Sequence, residues 1–400
     1  MEGNIAWILT SAALVLFMIP GLALFYGGMV RAKNALNMLN MNMWCLGIVP
    51  VVWVLVGLSL SAGESGRSWL GDLSLVGLKG MSDPMDIALF AFGMTFACIT
   101  PALISGAVAD RMKFSAWMIF VPIWTLVVYC PVVYWVYGAD GWIINLPAHD
   151  FAGGTAIHVN AGAAALALAI VLGKRSGWPQ NRPAPHNVPF VMLGAGILWF
   201  GWFGFNAGSA FAADGLAAQA FLNTFIAGAA GMVAWMITEM AKTGKVSTIG
   251  MASGVIAALV AITPAAGFVG SMHSFVFGAL AGVICFFAIE AKYRFGFDDS
   301  LDVVGIHLVG GVVGGVLLGF MADASAVPGG DFVNGVFFGG GILVWNQILS
   351  IVVVMAFSFV ATFVIAKVLD STIGLRVSES TEMTGLDVSD HGEAAYVMDA

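Results

Sequence analysis

The sequence predicts an all-α integral membrane protein. It has eleven transmembrane helices with the N-terminus outside and the C-terminus inside, arranged as a 5+5 inverted repeat plus a long eleventh helix. Three observations predict this. Of 400 residues, 60% are hydrophobic and 10% charged, against about 45–50% and about 25% in a soluble domain. A single core of this size does not hide that much apolar surface, so the surplus faces lipid. Eleven apolar runs reach the roughly 20 residues that cross a hydrocarbon slab about 30 Å thick. Finally, the cations segregate. Of 15 Lys and Arg, the inside set is Arg31, Lys33, Arg111, Lys113, Lys174, Arg175, Arg182, Lys242, Lys245, Lys292, Arg294, Lys367 and Arg376. Only Arg67 and Lys79 are left outside, as the positive-inside rule requires.

In chain order the runs are 5–28, 36–60, 86–109, 114–137, 151–172, 187–210, 216–240, 247–266, 271–291, 302–321 and 334–367. The last is overlong, so it tilts, kinks or runs past the bilayer. Met1-Glu2-Gly3-Asn4 leads straight into the first run without a basic region or cleavage site, and no cleaved signal peptide is expected. The transmembrane domain is residues 1–370, with repeats over 5–172 and 187–321 and the eleventh helix over 334–367. Residues 371–400 form a cytoplasmic tail. The 51 glycines fit close helix packing. Gly310-Gly311, Gly314-Gly315 and Gly339-Gly340-Gly341 lie inside apolar helices and lack the lysine of a phosphate loop. Cys45, Cys98, Cys130 and Cys285 each sit in an apolar run and read as inert core thiols. The net charge of −8 offers no basic stripe for nucleic acid.

Two short patterns recur across the halves. Asp150 precedes Ile157-His158 as Asp299 precedes Ile306-His307, with the histidine eight residues after the aspartate in both. Ile99-Thr100-Pro101-Ala102 recurs as Ile262-Thr263-Pro264-Ala265. The matching spans run in opposite directions, the pattern of an inverted repeat with a pathway at its interface.

The chemistry concentrates there. Eight residues of helix are about 12 Å, so His158 and His307 approach the membrane midplane from opposite sides. A lone buried His is usually satisfied by a carbonyl. Two at equivalent repeat positions point to a pathway, because ionisable residues at that depth are costly. Neutral imidazoles both donate and accept, and so pass a proton or a small polar molecule. On the outer side lie Phe96, Tyr137, Phe205 and Ser209. Stretch 202–209 mixes aromatics, small residues and polar side chains, and cation–π contact worth about 0.5–2 kcal/mol would hold a small cation there. Asp150 caps the fifth span or tunes the field at the mouth, and the two roles are compatible. Asp302 carries the same pair of readings on the inner side, and Asp299 reads as a cap. Trp142 and Trp69 read as interfacial belt residues.

At these residues the chain closely resembles the Amt/Mep/Rh family of ammonium transporters, specifically its prokaryotic Amt branch. The likeness runs through 95–100, 150–160, 202–209, 262–264, 302–307 and the tail stretches 374–378, 385–387 and 391–393. It implies an eleven-helix homotrimer with one narrow hydrophobic pore per subunit. Phe96 and Phe205 would be the gate and His158 and His307 the twin histidines. Ser209 and the aromatic at the end of the fourth span would form an outer ammonium cup, with Asp150 supporting it and Trp202, Thr263 and Asp302 lining or supporting the path. Where the family has a tryptophan in the cup, this chain has Tyr137, with Trp135 the other claimant. Asp110-Arg111 stands where Glu-Arg is usual.

The implied activity is transport, not enzymatic catalysis, and needs no cofactor. It takes ammonium and methylammonium across the cell membrane, losing a proton so that ammonia crosses, with or without a separate proton. The tail, read from composition alone, is a solvated acidic end (Glu379, Glu382, Asp387, Asp390, Glu393, Asp399). The resemblance makes it an ordered segment that contacts a neighbouring subunit and a PII-type signal protein. The rival readings are an Rh-like neutral gas channel, an ammonium sensor with little flux, and a redox protein holding haem on its two histidines.

Overall fold

A computed structural model describes residues 1–180 and 183–396. Arg182 and Asp399 lie outside the described residues. The architecture is all-helical, with ten helices among the described residues long and apolar enough to cross a membrane. These are α1 (Glu2–Met29), α2 (Ala32–Ala62), α3 (Pro84–Val108), α4 (Phe114–Tyr137), α5 (Gly154–Leu172), α6 (Val188–Ala210), α7 (Gly215–Thr243), α9 (Ser271–Phe295), α10 (Val304–Met321) and α11 (Ile342–Thr372). Between α7 and α9 stands α8, the shorter apolar helix Thr248–Ile262. Two short tail helices follow, α12 (Glu379–Thr384) and α13 (Leu386–His391).

Local signals explain several boundaries. Asp83 caps α3 by accepting from the Met85 and Asp86 amides, with Pro84 at the first helical position. Asn187 caps α6, Asp214 caps α7 and Ser247 caps α8. The run expected over 334–367 is displaced: the helix starts at Ile342 and continues to Thr372. Gly339-Gly340-Gly341 therefore does not lie within a helix. Gly339 adopts φ 90°, a left-handed turn that only glycine takes cheaply. The run expected over 247–266 is cut at Ile262, because Pro264 ends α8 and the chain turns. Its counterpart Pro101 sits inside α3, which continues through it.

Helices cross at glycines where backbone meets backbone. A Cβ on Gly194 of α6 would lie 2.4 Å from the Phe25 amide nitrogen of α1. Gly278 of α9 has the same relation to the Ala227 carbonyl of α7, at 2.2 Å. The opposite face of the outer helices is apolar and uncovered: α11 exposes Trp345, Leu349, Val352, Val360, Val364 and Val368 while burying Val354, Thr362 and Ala366. This division fits lipid on one side and protein on the other. All four cysteines are free and buried.

The two ends of the bundle differ. At the tail end, buried Arg111 crosslinks loops by donating to the carbonyls of Ala107, Gly173 and Asp298 and to Ser300 Oγ. Arg175 forks onto Asp298 at 2.8 and 2.9 Å and reaches Asp110 at 3.2 Å. The tail is docked on this frame instead of being a solvated end. Arg376 pairs with Glu382 at 2.8 Å, and Glu382 accepts from the Ser176 amide. Asn34 bridges Asp110 and the Leu386 amide. Asp387 accepts from the Leu36 and Asn37 amides at 3.1 and 2.8 Å, so a tail carboxylate satisfies the free amides at the start of α2. His391 lies between Asn37 and Asn40.

Asp387→Ala removes both amide contacts and is expected to release the tail. Limited proteolysis of the detergent-solubilised protein should then cut after residue 377 several-fold faster than in the wild type, with the transmembrane core intact.

Candidate functional site

α5 and α10 each begin in a wide π-helical turn, Gly154–Val159 and Val304–Leu308. Each turn carries one of the two histidines. Such turns rotate a side chain off the ordinary helical register and recur at functional positions. Close approach of the helices needs small residues. A Cβ on Gly162 of α5 would meet the Leu308 amide nitrogen at 2.5 Å, and one on Gly311 of α10 would meet the Gly154 carbonyl at 2.9 Å.

The result is a direct contact. His158 Nδ1 and His307 Nδ1 are 3.2 Å apart, with the rings tilted 23° and their centroids 5.3 Å apart. Both residues are buried. Two nitrogens at that distance share one hydrogen, so one ring is protonated at Nδ1 and the other presents a bare Nδ1. The neutral pair is therefore asymmetric, with one donor and one acceptor Nε2. His158 Nε2 is buried without a hydrogen-bond partner among the described residues.

A ladder of rings stands above the pair. His158 stacks with Trp202 (5.5 Å) and Phe205 (5.9 Å). Phe205 faces Phe96 at 4.3 Å. Trp202 is fixed by its Nε1 donating to Thr263 Oγ1 at 2.9 Å, and Thr263 Oγ1 donates in turn to the Leu259 carbonyl. Thr100, the repeat counterpart of Thr263, makes the same bond four residues back, to the Phe96 carbonyl. Ser209 Oγ donates to the Phe205 carbonyl at 2.8 Å and keeps its acceptor lone pairs. Beside the histidines lies a cavity of about 10 Å³, room for one water-sized molecule, with Leu22, Phe25, Ile99 and Leu103 among its walls.

Asp150 stands at the start of α5 with both oxygens engaged. Oδ1 accepts from Gly153 and Gly154 at 2.9 and 2.6 Å, and Oδ2 from Thr155 and Ala156 at 2.9 Å each. Burial raises this carboxyl and the four amides oppose it. Asp302 is placed apart from the cavity. Its Oδ1 pairs with Lys292 Nζ at 2.6 Å at the tail end, and its side chain is 32% exposed. Lys292 Nζ also donates to the Asp299 carbonyl at 2.8 Å.

The two claimants for the cup aromatic part company. Trp135 is buried in a cluster with Trp69 (5.9 Å), Trp142 (6.1 Å) and Phe357 (4.7 Å), and its Nε1 donates to the Trp69 carbonyl. Tyr137 ends α4 and is 39% exposed. Sequence reasoning missed two rings at the mouth. Phe92 lies 4.7 Å from Phe96, and Phe211, in a left-handed conformation, meets Phe92 edge-on at 6.0 Å. Phe92 precedes Phe96 by four residues, which puts both on one helix face, and that spacing was a readable signal.

Asp150→Asn keeps one acceptor oxygen and leaves two buried amides unsatisfied. A loss of about 1–3 kcal/mol is expected, read as a lowered melting temperature of the solubilised protein.

Comparison with known proteins agrees with this geometry. A profile of the Ammonium Transporter Family matches residues 6–396. An ammonium transporter of Bacillus subtilis strain 168 is 45% identical over 403 residues, covering 98% of each chain. One of Mycobacterium tuberculosis strain H37Rv is 49% identical over 429 residues, covering 98% of this chain and 90% of its own. The crystal structure of Candida albicans Mep2 superposes with a TM-score of 0.92 at 36% identity, covering 99% of this chain and 90% of that one. A protein described as a sensor Amt protein superposes at 0.91 with 27% identity, covering 98% of both. Ten apolar spans, paired histidines beneath stacked phenylalanines and a family match over nearly the whole length lead to one conclusion: this chain is a multi-pass membrane protein of the ammonium transporter family.

Proposed function

We propose that the protein carries ammonium nitrogen inward as ammonia through a twin-histidine pore. It does so as an eleven-span protein with Met1 outside and the tail inside. The observation that carries this reading is the His158–His307 contact of 3.2 Å below the Phe96–Phe205 pair. A bare cation in so dry a path faces an idealised desolvation cost of order 20 kcal/mol. Loss of a proton removes most of that cost, and potassium has no proton to lose. Ammonium is drawn to a cup formed by Phe96, Tyr137 and the acceptor lone pairs of Ser209, with Phe92 and Phe211 as further ring faces. It deprotonates as Phe96 and Phe205 part. Ammonia then meets one Nε2 that accepts and one that donates, so it keeps a hydrogen-bond partner along apolar walls. Asp150 holds the mouth of α5 in shape, and Trp202 and Thr263 hold the ring ladder.

The assembly we infer is a homotrimer in the cell membrane, with the docked tail offering its cytoplasmic face to a PII-type protein. The likeness to the sensor Amt protein favours a second reading, an ammonium sensor with little flux.

Proteoliposomes on a solid-supported membrane test this with ammonium, methylammonium and potassium pulses. The expected result is a saturable ammonium response and none to potassium. A His158→Ala/His307→Ala double variant should lose the ammonium response at least tenfold or admit potassium; unchanged methylammonium uptake with potassium still excluded would overturn the pore role. An internal pH change without current would mark neutral ammonia conduction, and no response of either kind would favour the sensor.

A further inference from the structure

The two halves cap their histidine helices unequally. Asp150 and Asp299 hold equivalent positions, but Asp150 commits both oxygens to four amides whereas Asp299 does not. Asp299 Oδ2 accepts from the Val304 amide at 2.7 Å. Its Oδ1 is buried with no hydrogen-bond partner among the described residues, in a residue 1% exposed. Lys292 of α9 does not bridge to this carboxyl. Its Nζ reaches the Asp299 backbone carbonyl at 2.8 Å and the Asp302 carboxylate at 2.6 Å. Asp302 is partly exposed and sits at φ 64°, a left-handed conformation that non-glycine residues seldom adopt and that gathers at functional sites. A carboxylate at the surface, an ammonium behind it and a buried carboxyl thus run inward from the tail end.

The segment that carries the two aspartates packs on α3 through Val303. Gly106 of α3 is pressed between the Tyr26 ring of α1 and the Val303 side chain. The Tyr26 hydroxyl donates to the carbonyl of Leu103, a wall of the cavity. The other charges facing Asp299 are Arg111 of the α3–α4 turn, which donates to neutral groups alone, and neighbouring Asp298, which Arg175 neutralises.

We propose that Asp299 is the proton-exchange residue at the cytoplasmic mouth, a role that rests on the ammonium-pore reading above and deepens it. An ammonium ion entering from the cytoplasm breaks one N–H bond. The proton passes to Oδ1, directly or through one water, and the electron pair stays on nitrogen. Ammonia continues toward His307, and the neutral carboxyl then returns its proton to cytoplasmic water along the Lys292–Asp302 side. Inward transport runs the same step in reverse: the protonated carboxyl gives its proton to emerging ammonia and is reprotonated from cytoplasmic water. The carboxyl is suited to both directions. Burial raises it, Lys292 lowers it and Asp302 raises it again, leaving it at about 6, close to where a group exchanges protons readily with its surroundings.

The test is efflux of radiolabelled methylammonium from proteoliposomes of the full chain, at fixed external pH with internal pH stepped downward through 6. Methylammonium remains a cation over this range, so only the acceptor titrates. Wild-type efflux should fall with a midpoint near 6, by about tenfold per pH unit below it. Asp299→Asn keeps an oxygen for the Val304 amide but holds no proton, so the internal-pH midpoint should vanish. Lys292→Gln removes the cation that favours the carboxylate, so the midpoint should move upward. Should the Asn variant fail to fold, the Lys292→Gln shift decides alone. A midpoint unmoved by either change overturns the proposal while leaving the pore reading intact. Absence of any wild-type flux sinks both.

Discussion

Two imidazoles can share a hydrogen inside a membrane only if the helices that carry them come to backbone distance. That requirement organises this protein. Gly162 and Gly311 let α5 and α10 touch, and on Gly314 of α10 a Cβ would lie 2.1 Å from the Ala261 carbonyl of α8. The π-helical turns then rotate His158 and His307 toward each other. Larger residues at the crossings would part the rings, and each buried ring nitrogen would lack a partner, at about 1–3 kcal/mol apiece. The glycines are thus part of the site, although none touches a substrate.

The aromatic ladder follows from the same requirement. A neutral imidazole pair offers a cation little to replace its water, which is why the proposed function has charge shed before the pair is reached. Phe96 and Phe205 face each other with ring centroids 4.3 Å apart, and Trp202 ties this ladder to the end of α8 through Thr263. Under the proposed function, selection would rest on proton loss, because size alone would not separate ammonium from potassium.

Much of this was legible because membranes impose strong sequence rules. Composition and run length located most of the spans to within a few residues, the last being displaced to Ile342–Thr372. The repeated aspartate-to-histidine spacing and the aromatic stretch 202–209 singled out residues that the fold brings into one ring ladder. What stayed hidden was local or long-range. A π-helical turn leaves the hydrophobic pattern unchanged, so nothing in periodicity marks it. Trp135 and Tyr137 are two residues apart, and only the packing of Trp69 and Phe357 shows that the first ring is occupied. By composition alone, without the family resemblance, the tail looked like a solvated acidic end, because its partners lie far off in sequence: Asp387 meets the amides of Leu36 and Asn37, some 350 positions away. Asp299 read as a plain cap, since an unused oxygen is visible only once every amide around it is placed.

The length of α11 carries a mechanical consequence. Its 31 residues span about 46 Å at 1.5 Å each, against a hydrocarbon slab of about 30 Å. A helix longer than the slab answers bilayer thickness by tilting or protruding. Leu375 and Arg376, just past its end, are stitched to the Lys113 amide and the Leu172 carbonyl. The far end of α11 is tied as well, through Gln347, which both accepts from and donates to the backbone of His149 beside Asp150. A rod tied at both ends answers bilayer thickness by tilting more than by sliding, and one of its ties is the segment beside Asp150.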